Sequence, residues 1–150
     1  MIAGTIAQNA SQQTTNDDAL EKLREEVRKI NERRPGDYTV YTLVIPGTDT
    51  VQYAGMTNDL SRRLNEHSRS EKTGDLVLGD YVDHLTYTQA RSMEQSLIAS
   101  YSLKTVGRNS VNSIGPNNKK AAIYMQALED LIYNEWSNER YMILEIFPGG

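Results

Sequence analysis

The sequence predicts an α+β protein, a small three-stranded antiparallel sheet flanked by helices, and three observations carry that prediction. Two runs of β-branched and aromatic residues, Tyr38 to Ile45 and Val51 to Gly55, are separated by Pro46-Gly47-Thr48-Asp49, whose turn chemistry makes them a hairpin. A third alternating run, Tyr81 to Thr88, completes the sheet. The segments before, between and after these strands carry apolar residues at helical spacing.

Residues 1–16 are rich in Ala, Gln, Asn, Ser and Thr without apolar periodicity, and read as a flexible tail or a linker from something longer. Asn16 or Asp17 then caps a helix with a narrow stripe of Leu20, Leu23, Val27 and Ile30, stopped by Pro35-Gly36. So thin a stripe makes 17–36 an accessory element, either packed on the domain or serving as a flap or tether. The domain itself is expected over 37–150. After the hairpin, Thr57, Asn58 or Asp59 caps a helix whose apolar positions are Leu60 and Leu64, with Arg63 and His67 four apart on one face. Residues 68–80 are polar and read as a surface loop.

The helix from Gln89 to about Leu103 sets Ala90, Leu97 and Tyr101 in one line, and Glu94 falls in the same line. A carboxylate on a packed face requires a cation or hydrogen-bond donors, so Glu94 is either half of an ion pair with an arginine or a metal ligand. Residues 107–118 hold too much Asn, Gly and Pro for regular structure. Lys119 to Trp136 returns to helical period, with Ala121, Met125, Leu128, Leu131 and Ile132 on a broad apolar face, and Tyr141 to Phe147 suits an edge strand.

At 150 residues without cysteine, the chain can bury a core, and thiolate metal sites and cysteine nucleophiles are excluded. No run of residues is apolar and long enough to span a bilayer, so a soluble protein without membrane insertion is expected. The net charge of −4 is unevenly spread. Glu129, Asp130, Glu135, Glu139 and Glu145 crowd the end, whereas Arg62, Arg63, Arg69 and Lys72 outnumber the acids around the helix after the hairpin. A local field can be positive while the sum is negative, so Arg62, Arg69 and Lys72 are candidate phosphate contacts. Solvated surface charge is the plainer alternative.

Thr39-Val40-Tyr41, eleven residues, Tyr53-Ala54-Gly55, and then Thr57, Arg63 and His67 together resemble the signature of the GIY-YIG nucleases. Thr39 stands where the first motif has glycine and Ala54 where the second has isoleucine, neither a chemical position in the family. Glu94 in SMEQSLIASY resembles the family's single metal-binding glutamate on the helix after the third strand, and Asn112, with Asn109 second, resembles its bracing asparagine. The segment VNSIGPNN also looks like the end of GIY-YIG toxin domains of bacterial polymorphic toxins.

The resemblance implies a divalent-metal endonuclease cutting DNA, with RNA as the alternative polymer. It implies magnesium, or manganese, held by Glu94, Arg63 on the non-bridging phosphate oxygens, and Tyr41 and Tyr53 flanking the attacking water, with Gly55 and Thr57 orienting. The general base stays open among Tyr41, Tyr53 and His67. A free tyrosine, with a pKa of about 10, is a poor base at neutral pH, and histidine is better matched. As a toxin domain the chain would be delivered from a larger secreted protein into a target cell's cytoplasm, and an immunity protein would neutralise it. Alternatives are a GIY-YIG-like module that binds without turnover, and a repair, restriction or homing nuclease. Taken one at a time, the tyrosines are ordinary sheet residues, Arg63 and His67 a solvated helix face, and the loop asparagines turn formers.

Overall fold

The structure, a computed structural model, describes the backbone of residues 2–135 and the side chains of residues 16–134. It is α+β. Helix α1 (Ile2–Arg33) leads into the hairpin β1 (Tyr38–Val44) and β2 (Val51–Thr57), followed by α2 (Leu60–Ser68), β3 (Val77–Leu85), α3 (Tyr87–Ser100) and α4 (Ala121–Asp130). The sheet is antiparallel throughout, in the order β2-β1-β3.

Alternation along the central strand divides the core. Val40 of β1 and Ala54 of β2 face a layer containing Ala90, Met93, Leu97 and Ile98 of α3 and Leu128 of α4. Tyr41 and Leu43 point the other way, into a second cluster with Leu76, on which Tyr53 and Leu60 and Leu64 of α2 pack. Both faces of the sheet are covered, so β1 reads as nearly continuous apolar sequence and its register is strongly specified.

Three boundaries differ from the sequence expectation. β3 covers Val77–Leu85 rather than Tyr81–Thr88, because Thr86 and Gln89 form a reciprocal capping box that starts α3 at Tyr87. Gly79 is therefore a strand residue, not a loop residue. A Cβ there would come within 2.7 Å of Thr42 Oγ1 and 2.8 Å of Val44, so the glycine marks a close approach of β3 to β1. The final helix spans Ala121–Asp130 and continues as a π-helical turn, Leu131–Glu135, in which Leu131 is buried. Met125, expected on its apolar face, is exposed. Trp136 and the expected strand Tyr141 to Phe147 lie outside the described residues.

α1 begins at Ile2, upstream of the start expected at Asn16 or Asp17; no proline interrupts the intervening sequence. Its described stripe matches the expectation, with Ile30 buried and Leu20, Leu23 and Val27 half-buried. The helix is docked by polar contacts as well. Arg24 makes a two-pronged pair with Asp130 of α4, both bonds 3.0 Å, and Asn31 Oδ1 accepts from Thr88 N and Oγ1 at 3.1 and 3.0 Å. Of the two readings of this helix, packed element or flap, its described part is the packed one.

Candidate active site

Tyr41, Gly55, Arg63 and His67 share the α2 side of the sheet. Tyr41 pairs with Gly55 across the β1–β2 ladder, so the phenol ring lies over the glycine. A Cβ on Gly55 would sit 2.6 Å from Tyr41 Cζ and against the hydroxyl oxygen, which is why only glycine fits opposite this ring. Gly55→Ala is expected to displace Tyr41, costing about 1–3 kcal/mol of stability by overpacking and most of any activity that depends on its hydroxyl. Thermal melts beside the cleavage assay described below check both.

Asp59 starts α2: its side chain accepts from Arg62 N at 3.1 Å. Thr57, buried at the end of β2, takes Asp59 N onto its hydroxyl at 3.0 Å and so sets the turn that aims the helix. It is an orienting residue. From α2, His67 is turned inward and buried, 7% exposed, with its ring edge-on to Tyr53 at 4.9 Å.

Both ring nitrogens of His67 are engaged. Nδ1 lies 2.8 Å from Thr73 Oγ1, and Nε2 lies 2.6 Å from the Tyr41 hydroxyl. The Thr73 hydroxyl donates to the His67 carbonyl at 3.5 Å, which makes its oxygen the acceptor for Nδ1–H. Nε2 then carries the lone pair and accepts from Tyr41. Burial, followed by the nearby Arg63 guanidinium, holds the His67 pKa below its usual value, so the ring is neutral at pH 7. Burial and then Tyr53 push the Tyr41 phenol well above its usual range, with Arg63 opposing. Tyr41 is therefore a proton-bearing phenol bound to a base, not a ready phenolate.

Arg63 stands at the mouth of this arrangement. It donates to Glu66 at 2.8 Å and also interacts with the Tyr41 and Tyr53 hydroxyls; its pKa is raised, with Glu66 the largest cause, so it stays charged. One carboxylate contact leaves the guanidinium donors to spare.

Glu94 arrives from the other layer, around the edge of the sheet. β2 is an edge strand, and its outward peptide groups recur every second residue. Gln52 O accepts from Arg108 N at 2.6 Å, Ala54 N and O are clasped by the Asn109 side-chain amide at 3.0 and 2.8 Å, and the Met56 backbone interacts favourably with the Glu94 carboxylate. The Ser113 side chain, Arg91 and Arg63 also favour the charged carboxylate. Burial outweighs these donors and raises its pKa. Glu94 is thus neither in a direct ion pair nor fully solvated.

Of the two candidate bracing asparagines, Asn109, the second choice, is the one whose amide clasps the β2 edge. Asn112 Oδ1 instead accepts from Gln95 Nε2 at 3.3 Å, steadying the helix beside Glu94. Thr73 and Glu66 were not among the expected site residues. Glu66 is legible as an i+3 and i+4 partner of Arg63 and Arg62; Thr73, in a polar stretch, gives no sequence signal of its burial. The expected phosphate contacts fare unevenly. Arg62 is held by Glu66 at 2.8 Å, the Lys72 ammonium donates to Ser110, and Arg69 ends α2 with an exposed side chain.

No group of three or more His, Cys, Asp and Glu poised for a metal occurs among the described residues. Magnesium does not need one: it keeps most of its waters and is commonly bound through one or two carboxylates. A single desolvated carboxylate among hydroxyl and peptide groups fits magnesium, or manganese, and does not fit a site of several protein ligands. Compared with protein-family models, curated proteins and solved structures, the chain matches none.

Proposed function

We propose that this chain is a divalent-metal-dependent endonuclease of the GIY-YIG type, hydrolysing phosphodiester bonds, with DNA the first substrate and RNA the alternative. The observation that carries the reading is the meeting of Tyr41, Tyr53, Arg63, His67 and Glu94 from β1, β2, α2 and α3 in one electrostatically connected group.

Phosphodiester hydrolysis needs an activated water, charge stabilisation on the phosphoryl oxygens and help for the departing oxygen. The Tyr41 hydroxyl is the contact for the water. As the water attacks phosphorus, its proton passes to the Tyr41 oxygen while the Tyr41 proton passes to His67 Nε2, so no free phenolate forms. Tyr53 holds the water's other side. Arg63 takes the non-bridging oxygens with the donors that Glu66 leaves free, a task its planar fork suits. A magnesium ion held by Glu94 would neutralise charge on the phosphate and on the leaving 3′ oxygen. Arg63→Lys is expected to lower the cleavage rate about 100-fold, because an ammonium cannot make the paired contact. A near wild-type rate would remove Arg63 from the mechanism.

The likeness of VNSIGPNN to toxin domains supports the narrower reading: a bacterial toxin or effector domain, delivered from a larger protein and held in check by an immunity protein. Expression of the active chain in bacterial cytoplasm should then kill, and the Glu94→Ala form should not. The founding experiment is cleavage of supercoiled plasmid, linear DNA and total RNA by purified protein, with magnesium or with EDTA. Magnesium-dependent cutting supports the enzyme and identifies the polymer. Strand binding without cutting favours a binding module that lacks turnover.

A further inference from the structure

The placement of the arginines separates two sets with different surroundings. Arg24, Arg28, Arg62, Arg63 and Arg108 each sit on a carboxylate. A second set lines a cavity of about 320 Å³ between the end of α1 and the starts of α3 and α4: Arg33, Arg34, Arg91 and Lys120, with Tyr87, Tyr124 and Ile30 and no acid in the lining. Among the described residues none of these four cations has a salt bridge.

Arg91 forms the floor. Its guanidinium lies 4.8 Å from the Tyr124 ring centroid and 5.8 Å from that of Tyr87, donates to both hydroxyls at 3.3 and 3.2 Å, and donates to the Ser113 carbonyl. Because each phenol oxygen already accepts from Arg91, each retains its own proton to give. The Arg34 guanidinium lies 5.3 Å from the Tyr87 ring centroid, and Arg33 and Lys120 are exposed at the rim. A cavity lined by four cations that lack salt bridges among the described residues, with two phenol donors, suits an anion carrying several acceptor oxygens. It also adjoins the candidate site. Arg91 precedes Glu94 by three residues on α3, and Ser113, whose carbonyl accepts from Arg91, also influences the Glu94 carboxylate.

We propose that this cavity seats a backbone phosphate of the nucleic-acid strand, flanking the phosphate cut at Glu94. The inference rests on the nuclease reading for the identity of the strand. It makes the α1–α3–α4 junction the phosphate track, in place of the largely self-neutralised surface of α2, and gives the packed helix α1 a part in substrate binding through Arg33 and Arg34.

The test is binding of the full chain to a fluorescein-labelled oligonucleotide in EDTA, by anisotropy across a salt series, for wild type, Arg34→Ala/Lys120→Ala and a control, Arg28→Ala/Lys29→Ala. The control removes the same charge from surface residues outside the cavity. The cavity variant should weaken binding about tenfold or more and make the log–log salt slope shallower by about two, one per lost phosphate contact, while the control does neither. Equal affinity and slope in wild type and cavity variant would overturn the proposal. So would thermal stabilisation of wild type, but not of the cavity variant, by inorganic phosphate alone with strand binding unaffected: that marks a free-phosphate site. Cleavage by the same samples in magnesium separates the two ideas. Cutting with unaltered binding sinks the cavity and keeps the nuclease; weakened binding without cutting in any sample does the reverse.

Discussion

Glu94→Gln is expected to abolish cleavage and, at neutral pH, to make the protein harder to unfold. The first effect follows from removing the carboxylate proposed to hold the divalent ion, at a loss of about 1000-fold or more in rate. The second follows from the carboxylate's surroundings. Burial raises its pKa above the ordinary 4.5, so the folded state holds the proton more tightly than the unfolded chain does. As pH rises from 4.5 through the folded-state pKa, the unfolded chain ionises first and wild type loses stability; above that pKa the penalty is constant. Glutamine is uncharged throughout. The variant's advantage should therefore open above pH 4.5 and level off above the raised pKa. Thermal denaturation against pH reads this directly, and magnesium should raise the wild-type Tm but not the variant's. A variant that is less stable at pH 7 than at pH 4.5, relative to wild type, would mean that Glu94 is a stabilising ion-pair partner.

Tyr41→Phe is expected to slow cleavage by about 100- to 10,000-fold while leaving the fold in place. The ring still fills its slot over Gly55; only the hydroxyl between the attacking water and His67 Nε2 is lost. The pH profile carries the diagnosis. With the His67 pKa held below its usual 6.5, the wild-type rate should stay flat through neutrality and fall only in acid, where protonated Nε2 can no longer accept. Because the Tyr41 pKa lies above its usual range, no phenolate limb should rise through the ordinary tyrosine pKa of 10. The residual activity of Tyr41→Phe should lack the acid limb set by His67. An unchanged limb would place His67 in direct contact with water and remove Tyr41 from the proton path. The stability of the fold carries the same sign, since the folded state favours neutral His67: the contribution is present above pH 6.5 and lost as pH falls below it towards the depressed pKa.

The sheet was legible where alternation and turn chemistry agreed, as in Tyr38 to Thr57, and the helical period of α3 correctly turned Glu94 towards packed surface. What escaped was set by contacts between distant segments. β3 was displaced because Gly79 reads locally as a loop residue, although its missing Cβ is what lets the strand lie against Thr42. Thr73 and Asn109 are ordinary polar residues in polar stretches; one becomes a proton acceptor because His67 is folded over it, the other a mimic of a neighbouring strand because β2 ends the sheet. Half of the basic character counted around α2, Arg62 and Arg63, meets Glu66 and Asp59 in space. A charge count cannot see that, and it likewise cannot see four cations from three distant segments lining one cavity.

The clasp on the outer edge of β2 has a consequence for timing. Tyr41, Arg63 and His67 come from the first half of the chain, whereas the groups that close the strand, Glu94, Arg108 and Asn109, all follow it, with Asn109 meeting Ala54 across 55 positions. Such long-range closure is the slow part of folding, because chain entropy is lost before the contact forms. A chain emerging N-terminus first, from a ribosome or through a narrow channel, can form the hairpin and α2 while its ladder edge is still bare and its carboxylate is missing. The candidate site is therefore incomplete in such a chain until residue 109 is free to fold back onto Ala54.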